Sequence, residues 1–256
     1  MHFTSLGSGS KGNATVVHCG ETRILIDCGF SVRETEKRLS LRGVDASQLS
    51  AILVTHEHTD HIRGVLPLAR KYQLPVMLTS GTSKALKEHS KVKLVLIDTN
   101  VPFNVGDLEL TPVSVAHDAR EPVQFVIRGR GLTLGVLTDL GSITPHVLES
   151  YSQCEGLLIE FNHDAEMLAN GSYPTALKNR VGGAWGHLNN QQAFQLLQNI
   201  QVDRLQQLVI CHISQQNNNL ALIKEKISVM ACQLPEVLYA CQDRGFPWVE
   251  LQSDFV

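Results

Sequence analysis

Residues 50–61 read SAILVTHEHTDH: an apolar run stops abruptly and His56, His58, Asp60 and His61 follow within six positions. The run is short and rich in β-branched and aliphatic residues, so it predicts a buried strand rather than a helix. The polar cluster is then a loop fixed at a strand end, where functional loops are anchored. A helical zinc-protease pattern is excluded, because His-Glu-x-x-His requires histidine at the position of Asp60. His56 and His58 are two apart on extended backbone, so they face one side and can share one ion. Asp60 and His61 follow as the chain turns, and face a neighbouring position. Two pairs of ligands leave two ions short of donors, so the fold must bring other strand ends to this loop.

Three later segments offer suitable ends. LTPVSVAH closes on His117, LTLGVLTD on Asp139, and QLVICHIS carries His212. Each alone also fits an ordinary loop cap. Together they complete two sites: His56, His58 and His117 for one ion, Asp60, His61 and His212 for the other, with Asp139 bridging through its two oxygens. Around these segments, HFTSLG, TVVHCG and RILIDCG predict a strand meander. SVRETEKRLSLRG (31–43) predicts a surface helix capped by Ser31 with Glu34 in a capping box. VLPLARKYQ predicts a helix with Pro67 in its first turn. PVMLT, KLVLID, VQFVIRG and LLIEFNH predict further strands, RGRG a hairpin turn, and NNQQAFQLLQNI and NLALIKEKISVMA helices before a last strand at EVLYA. Two strand-rich blocks flanked by amphipathic helices predict one αββα sandwich over residues 1–256.

Composition narrows the setting. A chain of 256 residues that is 43% apolar and 18% charged can bury a large core. No stretch of membrane-spanning length and no signal peptide are apparent, and the six scattered cysteines lack a CxxC pair. A cytoplasmic protein with reduced thiols and no membrane partner is expected. The formal net charge of −3 gives no general attraction for polyanions, so local cations would have to supply it.

THEHTDH, with LIDCG upstream and VAHD, LTDLG, GHLNN and CHIS downstream, resembles the metallo-β-lactamase superfamily of hydrolases over nearly the whole chain. LGSGSKGNATVV, IEFNHD and CHISQQNN are similar to its YycJ/WalJ subgroup, near the phosphodiesterase branch. The resemblance implies an α+β fold, the four-layer αββα sandwich, with two divalent metal ions (Zn or Mn, Fe also compatible) on the seven residues above. It implies that Asp60 and His187 serve catalysis, His187 by the leaving group, although a helix-cap role suits His187 too. Here Asn189 stands where that segment usually has serine. Asp27 matches an aspartate that orients a ligand histidine; a turn residue beside Gly29 fits it as well. Ser10, Lys11 and Asn13 lie in a Gly/Ser loop that is either an anion-binding nest or a tight hairpin. His163 and Asn218 are candidates for substrate contact, against a loop histidine and a helix start. Aspartate rather than cysteine at 139 favours hard-ion chemistry over β-lactam hydrolysis. The implied activity is a phosphodiesterase acting on DNA as a 5′-to-3′ exonuclease, in which a hydroxide shared by the ions attacks the diester and DNA is a transient partner. The alternative is a small-molecule hydrolase, either a cyclic phosphodiesterase or a thioesterase of glyoxalase II type.

Overall fold

A computed structural model describes residues 1–86 and 90–253. Strands β1 (His2–Gly7), β2 (Ala14–Cys19), β3 (Thr22–Ile26), β4 (Ala51–Leu53), β5 (Val76–Leu78) and β6 (Leu94–Leu96) are followed by β7 (Phe103–Val105), β8 (Leu108–Ser114), β9 (Val123–Gly129) and β10 (Leu132–Leu137). Then come β11 (Gly156–Glu160), β12 (Gln207–Cys211), β13 (Val237–Tyr239) and β14 (Phe246–Glu250). The helices are α1 (Val32–Ser40), α2 (Thr59–Ile62), α3 (Val65–Tyr72), α4 (Ser80–Ser83), α5 (Pro145–Tyr151), α6 (Ala165–Asn170), α7 (Thr175–Val181), α8 (Asn190–Asn199) and α9 (Leu220–Ser228). One sheet has the order β14-β1-β2-β3-β4-β5-β6 and the other β13-β12-β11-β10-β9-β8-β7.

The two-residue period of the strands divides the core into layers. Val17, Ile24, Ile26, Ala51 and Leu53 of the first sheet pack with Phe125, Ile127, Leu134, Val136, Leu158 and Val209 of the second. Their alternates point outward. Val16, Leu25 and Ile52 meet Leu39 of α1 and Val65, Leu68 and Ala69 of α3. Val126, Leu137, Leu157, Ile159 and Ile210 meet Val147 and Tyr151 of α5, Ala193, Leu196 and Leu197 of α8, and Ile223 and Ile227 of α9. This is the αββα sandwich. Each sheet's central strands are buried on both faces, which accounts for continuous apolar runs such as AILV and LVIC. Among the described residues, no helix is long and apolar enough to cross a membrane.

Both sheets contain parallel strands, β3 to β6 in one and β10 to β13 in the other. Ligand crevices in such sheets form beyond the carboxyl ends of the strands. Asp27 follows β3, Thr55 and His56 follow β4, Asp139 follows β10, Glu160 ends β11 and His212 follows β12. Asp27 (φ 60°) and His212 (φ 50°) both adopt left-handed backbone at these exits. Such strain concentrates at functional sites. Gly29 permits the chain to pass under the THEHTDH loop, since a Cβ there would lie 1.8 Å from the Asp60 carbonyl oxygen.

Two local expectations change. The helix predicted over 31–43 ends at Ser40, and its capping box is half formed. Ser31 Oγ accepts the Glu34 amide, but the Glu34 carboxylate turns to Arg38, one turn on at 2.7 Å, rather than back to the cap. The helix predicted over 189–200 is capped by Asn189 in a full reciprocal box with Gln192, so His187 is not its cap.

Candidate active site and metal centre

Thr55, the last residue before the histidines, organises the floor of the site. Its hydroxyl donates to Asp27 Oδ2 at 2.8 Å, and its amide donates to Asp27 Oδ1 at 2.9 Å. His56 Nδ1 lies 2.9 Å from the same hydroxyl, and His61 Nδ1 lies 2.7 Å from Asp27 Oδ2. Both Nδ1 atoms are therefore engaged, and both Nε2 atoms are left to face the other way. His117 follows the same plan through the Gly186 carbonyl, 2.9 Å from its Nδ1. His58 is reversed: its Nε2 lies 3.2 Å from the Asp118 carbonyl oxygen, leaving Nδ1 free.

The result is a convergence of ring nitrogens. His56 Nε2 and His117 Nε2 lie 3.0 and 3.3 Å from His58 Nδ1. Lone pairs so placed repel unless a cation lies among them, so the donor set fits a metal ion. Asp60, His61 and His212 form a second group of candidate donors, with His212 Nδ1 held 2.9 Å from the Thr138 carbonyl. Asp139, 1% exposed, belongs to groups with His56 and His61 and with His117 and His187. Its Oδ2 is a buried carboxylate oxygen with no hydrogen-bond partner among the described residues, an expensive state that a cation would relieve. The seven expected ligands thus come together, three of them from strands far along the chain.

Charge follows the geometry. Burial alone would raise the Asp139 carboxyl, but His212, His61 and His56 hold it well below the usual carboxylate range. Burial and the neighbouring His61 push His56 well down. Burial opposes protonation of His61 too, but Asp139 and Asp27 prevail and raise it to about 9. Below that pH an incoming cation must displace a proton from His61. Metal affinity is expected to rise with pH between 6.5 and 8.5, about tenfold per unit for each proton released. Chelator competition measures this, and a flat affinity would contradict the proton count. Replacing Asp27 by Asn should weaken metal binding by roughly 10- to 100-fold, because His61 loses its anchoring carboxylate. The same competition assay reads the change.

A cleft of about 350 Å³ opens over the centre, lined by His58, Asp60, Asp139, His187 and His212. His187 is partly exposed there, with Nδ1 3.0 Å from Glu160 Oε2. Sequence reading missed Glu160. It is fully buried, and its Oε1 accepts the amides of Leu140 and Leu188. Burial raises its carboxyl, but His187 and His212 more than offset this and keep it ionised. The single acid in the apolar stretch LLIEF was the available signal. Thr55 was likewise missed, and Arg180 and Tyr173, which line the cleft, had no visible pattern.

The remaining candidates divide. Ser10 lines the cleft. Lys11 is exposed and absent from the lining; its amide donates to Gln242 Oε1. Asn13 closes its own loop through Gly9 and braces Asp60, with Nδ2 3.4 Å from Oδ2. His163 is buried off the cleft, and burial brings it down to about 4. Asn218 exchanges paired amide hydrogen bonds with Asn190 and also donates to the Phe161 carbonyl, which ties α8 to the loop before α9.

Residues 22–213 match the model of the beta-lactamase superfamily domain, and the chain belongs to that family of metallo-hydrolases, whose fold and His/Asp clusters bind divalent metal. Within the family it falls in the YycJ/WalJ subgroup. It is 34% identical over 234 residues to exodeoxyribonuclease YycJ of Bacillus anthracis, covering 89% of this chain and 88% of that one. It is 30% identical over 222 residues to exodeoxyribonuclease WalJ of Streptococcus pneumoniae, covering 84% and 82%. The metallo-beta-lactamase fold protein YhfI of Bacillus subtilis shares the fold with a TM-score of 0.74, at 18% identity over 97% of this chain and 99% of that one.

Proposed function

We propose that the chain is a DNA exonuclease that hydrolyses phosphodiesters with two divalent ions and proceeds 5′ to 3′. The observation that carries this reading is the pair of candidate ligand groups gathered around Asp139, whose buried Oδ2 has no hydrogen-bond partner among the described residues. Similarity to two exodeoxyribonucleases supports DNA as the substrate class. His56, His58 and His117 would hold one ion, Asp60, His61 and His212 the other, and Asp139 both. Zn or Mn suits these nitrogen and oxygen donors, and Fe is also compatible. When bound, such ions supply Lewis acidity at the phosphoryl group and lower the pKa of water to about 7.

The chain's own groups do the rest. The Asp60 side chain, one quarter exposed, orients the attacking water at the cleft floor. His187 turns Nε2 to the cleft because Glu160 occupies Nδ1, and Nε2 is the atom that hands a proton to the leaving alkoxide. Asp27, Thr55, Gly186 and Asp118 fix the ring orientations of His56, His58, His61 and His117, so little reorganisation is needed during reaction.

The small cleft and the net charge of −3 favour a second reading, a small-ester hydrolase of the cyclic phosphodiesterase or glyoxalase II type. One assay separates the two. Metal-loaded protein is incubated with end-labelled single- and double-stranded DNA, bis-p-nitrophenyl phosphate and S-lactoylglutathione. Release of mononucleotides from the 5′ end first supports the exonuclease. Turnover of S-lactoylglutathione or a cyclic phosphodiester with intact DNA overturns it.

A further inference from the structure

A cleft of about 350 Å³ accommodates little more than one nucleotide, so DNA must continue over its rim. The protein has no general basic surface to hold it there, since acids outnumber bases. One patch runs against this balance. Arg38 near the end of α1 and Arg42 just beyond it meet Arg244, of the turn before β14, around a pocket of about 270 Å³. Leu6, Leu41 and Asp243 complete its lining.

The fold holds two of these guanidinium groups in place. Arg38 Nε donates to Glu34 at 2.7 Å, and its Nη1 donates to the Leu6 and Gln242 carbonyls at 2.7 and 3.1 Å. Arg42 Nε donates to Thr4 Oγ1 at 3.0 Å, and its Nη2 donates to the Ser5 and Arg244 carbonyls. Nη2 of Arg38, Nη1 of Arg42 and the whole fork of Arg244 have no protein partner among the described residues. Glu34 is the one acid ion-paired with any of the three among the described residues, and Asp243 pairs with none of them. Burial and the neighbouring Arg38 pull the Arg42 guanidinium below its ordinary range. Like charges gathered around one hollow repel one another, and an anion placed there relieves the repulsion.

The cluster is tied to the cleft. Ser10 lines the cleft, and Lys11 beside it is exposed. Gln242 clamps this loop. Its Oε1 accepts the Lys11 amide at 2.7 Å, its Nε2 donates to the Gly12 carbonyl at 2.8 Å, and its own carbonyl accepts Arg38. Gly9 (φ 141°) makes the clamp possible, since a Cβ there would lie 2.7 Å from Gln242 Oε1. At Gly7 a Cβ would lie 2.7 Å from Arg38 Nη1. From Gly7 to Ser10 the chain spans at most about 11 Å. A strand that advances about 3.4 Å per nucleotide covers that distance in roughly three steps.

Resting on the exonuclease reading, we propose that Arg38, Arg42 and Arg244 form a second backbone-binding site, which grips a phosphate about three nucleotides from the scissile bond while Lys11 contacts one in between. Its ligand is the phosphodiester backbone of the uncleaved DNA. Phosphate contacts carry no base information, so the site serves any sequence. It supplies locally the affinity that the overall charge withholds, and it keeps hold of the polymer while the cleaved nucleotide leaves.

Arg38 and Arg42 also hold backbone carbonyls, so the test is placed on Arg244 and Lys11, whose side chains make no hydrogen bond among the described residues. The full-length metal-loaded enzyme is assayed on duplex oligonucleotides. Arg244→Gln and Lys11→Gln should each raise KM by roughly 3- to 10-fold with little change in kcat. Each should flatten the dependence of log KM on log salt by about 0.9, one phosphate contact on B-DNA. Arg244→Lys should keep the wild-type slope. Arg244→Gln should leave turnover of bis-p-nitrophenyl phosphate unchanged, because that diester is too short to reach the cluster. A double variant, Arg244→Gln with Lys11→Gln, that keeps the wild-type KM and salt slope would overturn the proposal, as would equal losses on DNA and on bis-p-nitrophenyl phosphate. If the wild-type enzyme leaves all DNA intact, the exonuclease reading fails and this site with it; cleavage with an unaltered KM in the double variant removes the site alone.

Discussion

Replacing Asp139 by Asn is expected to lower bound metal from two ions toward one per chain and to reduce DNA cleavage by about three orders of magnitude. The side chain is close in volume, so packing against its neighbours is retained. What changes is charge at the acidic group that lies with His56 and His61 and with His117 and His187. His61 Nε2 lies 3.6 Å from Asp139 Oδ2, and His212 Nδ1 lies 3.1 Å from Oδ1. An amide at this point offers one neutral oxygen, and an N–H₂ that faces a cation or an imidazole N–H. The same loss of charge removes the main reason His61 holds its proton near pH 9, so metal-free Asp139→Asn should show a lower His61 pKa by NMR titration. Elemental analysis after loading and dialysis reads the stoichiometry, and a thermal melt distinguishes ligand loss from misfolding. Two ions and full activity would show that Asp139 does not bridge.

His187→Ala is expected to leave metal content intact while lowering kcat by roughly 10²- to 10⁴-fold, the usual contribution of a positioned acid. Glu160→Gln should approach the same loss for a reason visible in its hydrogen bonds. Glu160 Oε1 accepts two backbone amides, from Leu140 and Leu188, so glutamine must keep its oxygen there. Its N–H₂ is then forced toward His187 Nδ1, where a donor meets a donor. The ring must give up its Nδ1 proton and carry it on Nε2 as a neutral tautomer, without the carboxylate that stabilises charge on it. Single-turnover rates with metal content measured on the same samples check both variants. Loss of metal in His187→Ala would instead make His187 a ligand.

Much of this site was legible because ligands sit where apolar alternation stops. The runs before His56, Asp139 and His212 are strands buried on both faces, while β8 before His117 alternates between buried and exposed residues. Periodicity could not reveal α7, which buries none of its residues, or α6, which buries Leu168 alone. Strand β14 was hidden by Pro247, which has no N–H to give a ladder and is tolerated because β14 is an edge strand. Glu160 and Thr55 escaped notice because single polar residues in apolar runs give no spacing signal; their meaning lies in partners far away in sequence. Asn13 and Asn218 drew attention as polar loop residues, yet their amides serve the backbone and neighbouring side chains.

In the proposed centre, one loop and three distant strand ends would hold two ions that share Asp139. The most direct measurement is a crystal of the metal-loaded protein with diffraction recorded at the metal's absorption edge. Two anomalous peaks are predicted, one among His56, His58 and His117 and one among Asp60, His61 and His212, with the Asp139 carboxylate between them. A single peak at full loading, or a peak ligated by His187 Nε2, would contradict the account.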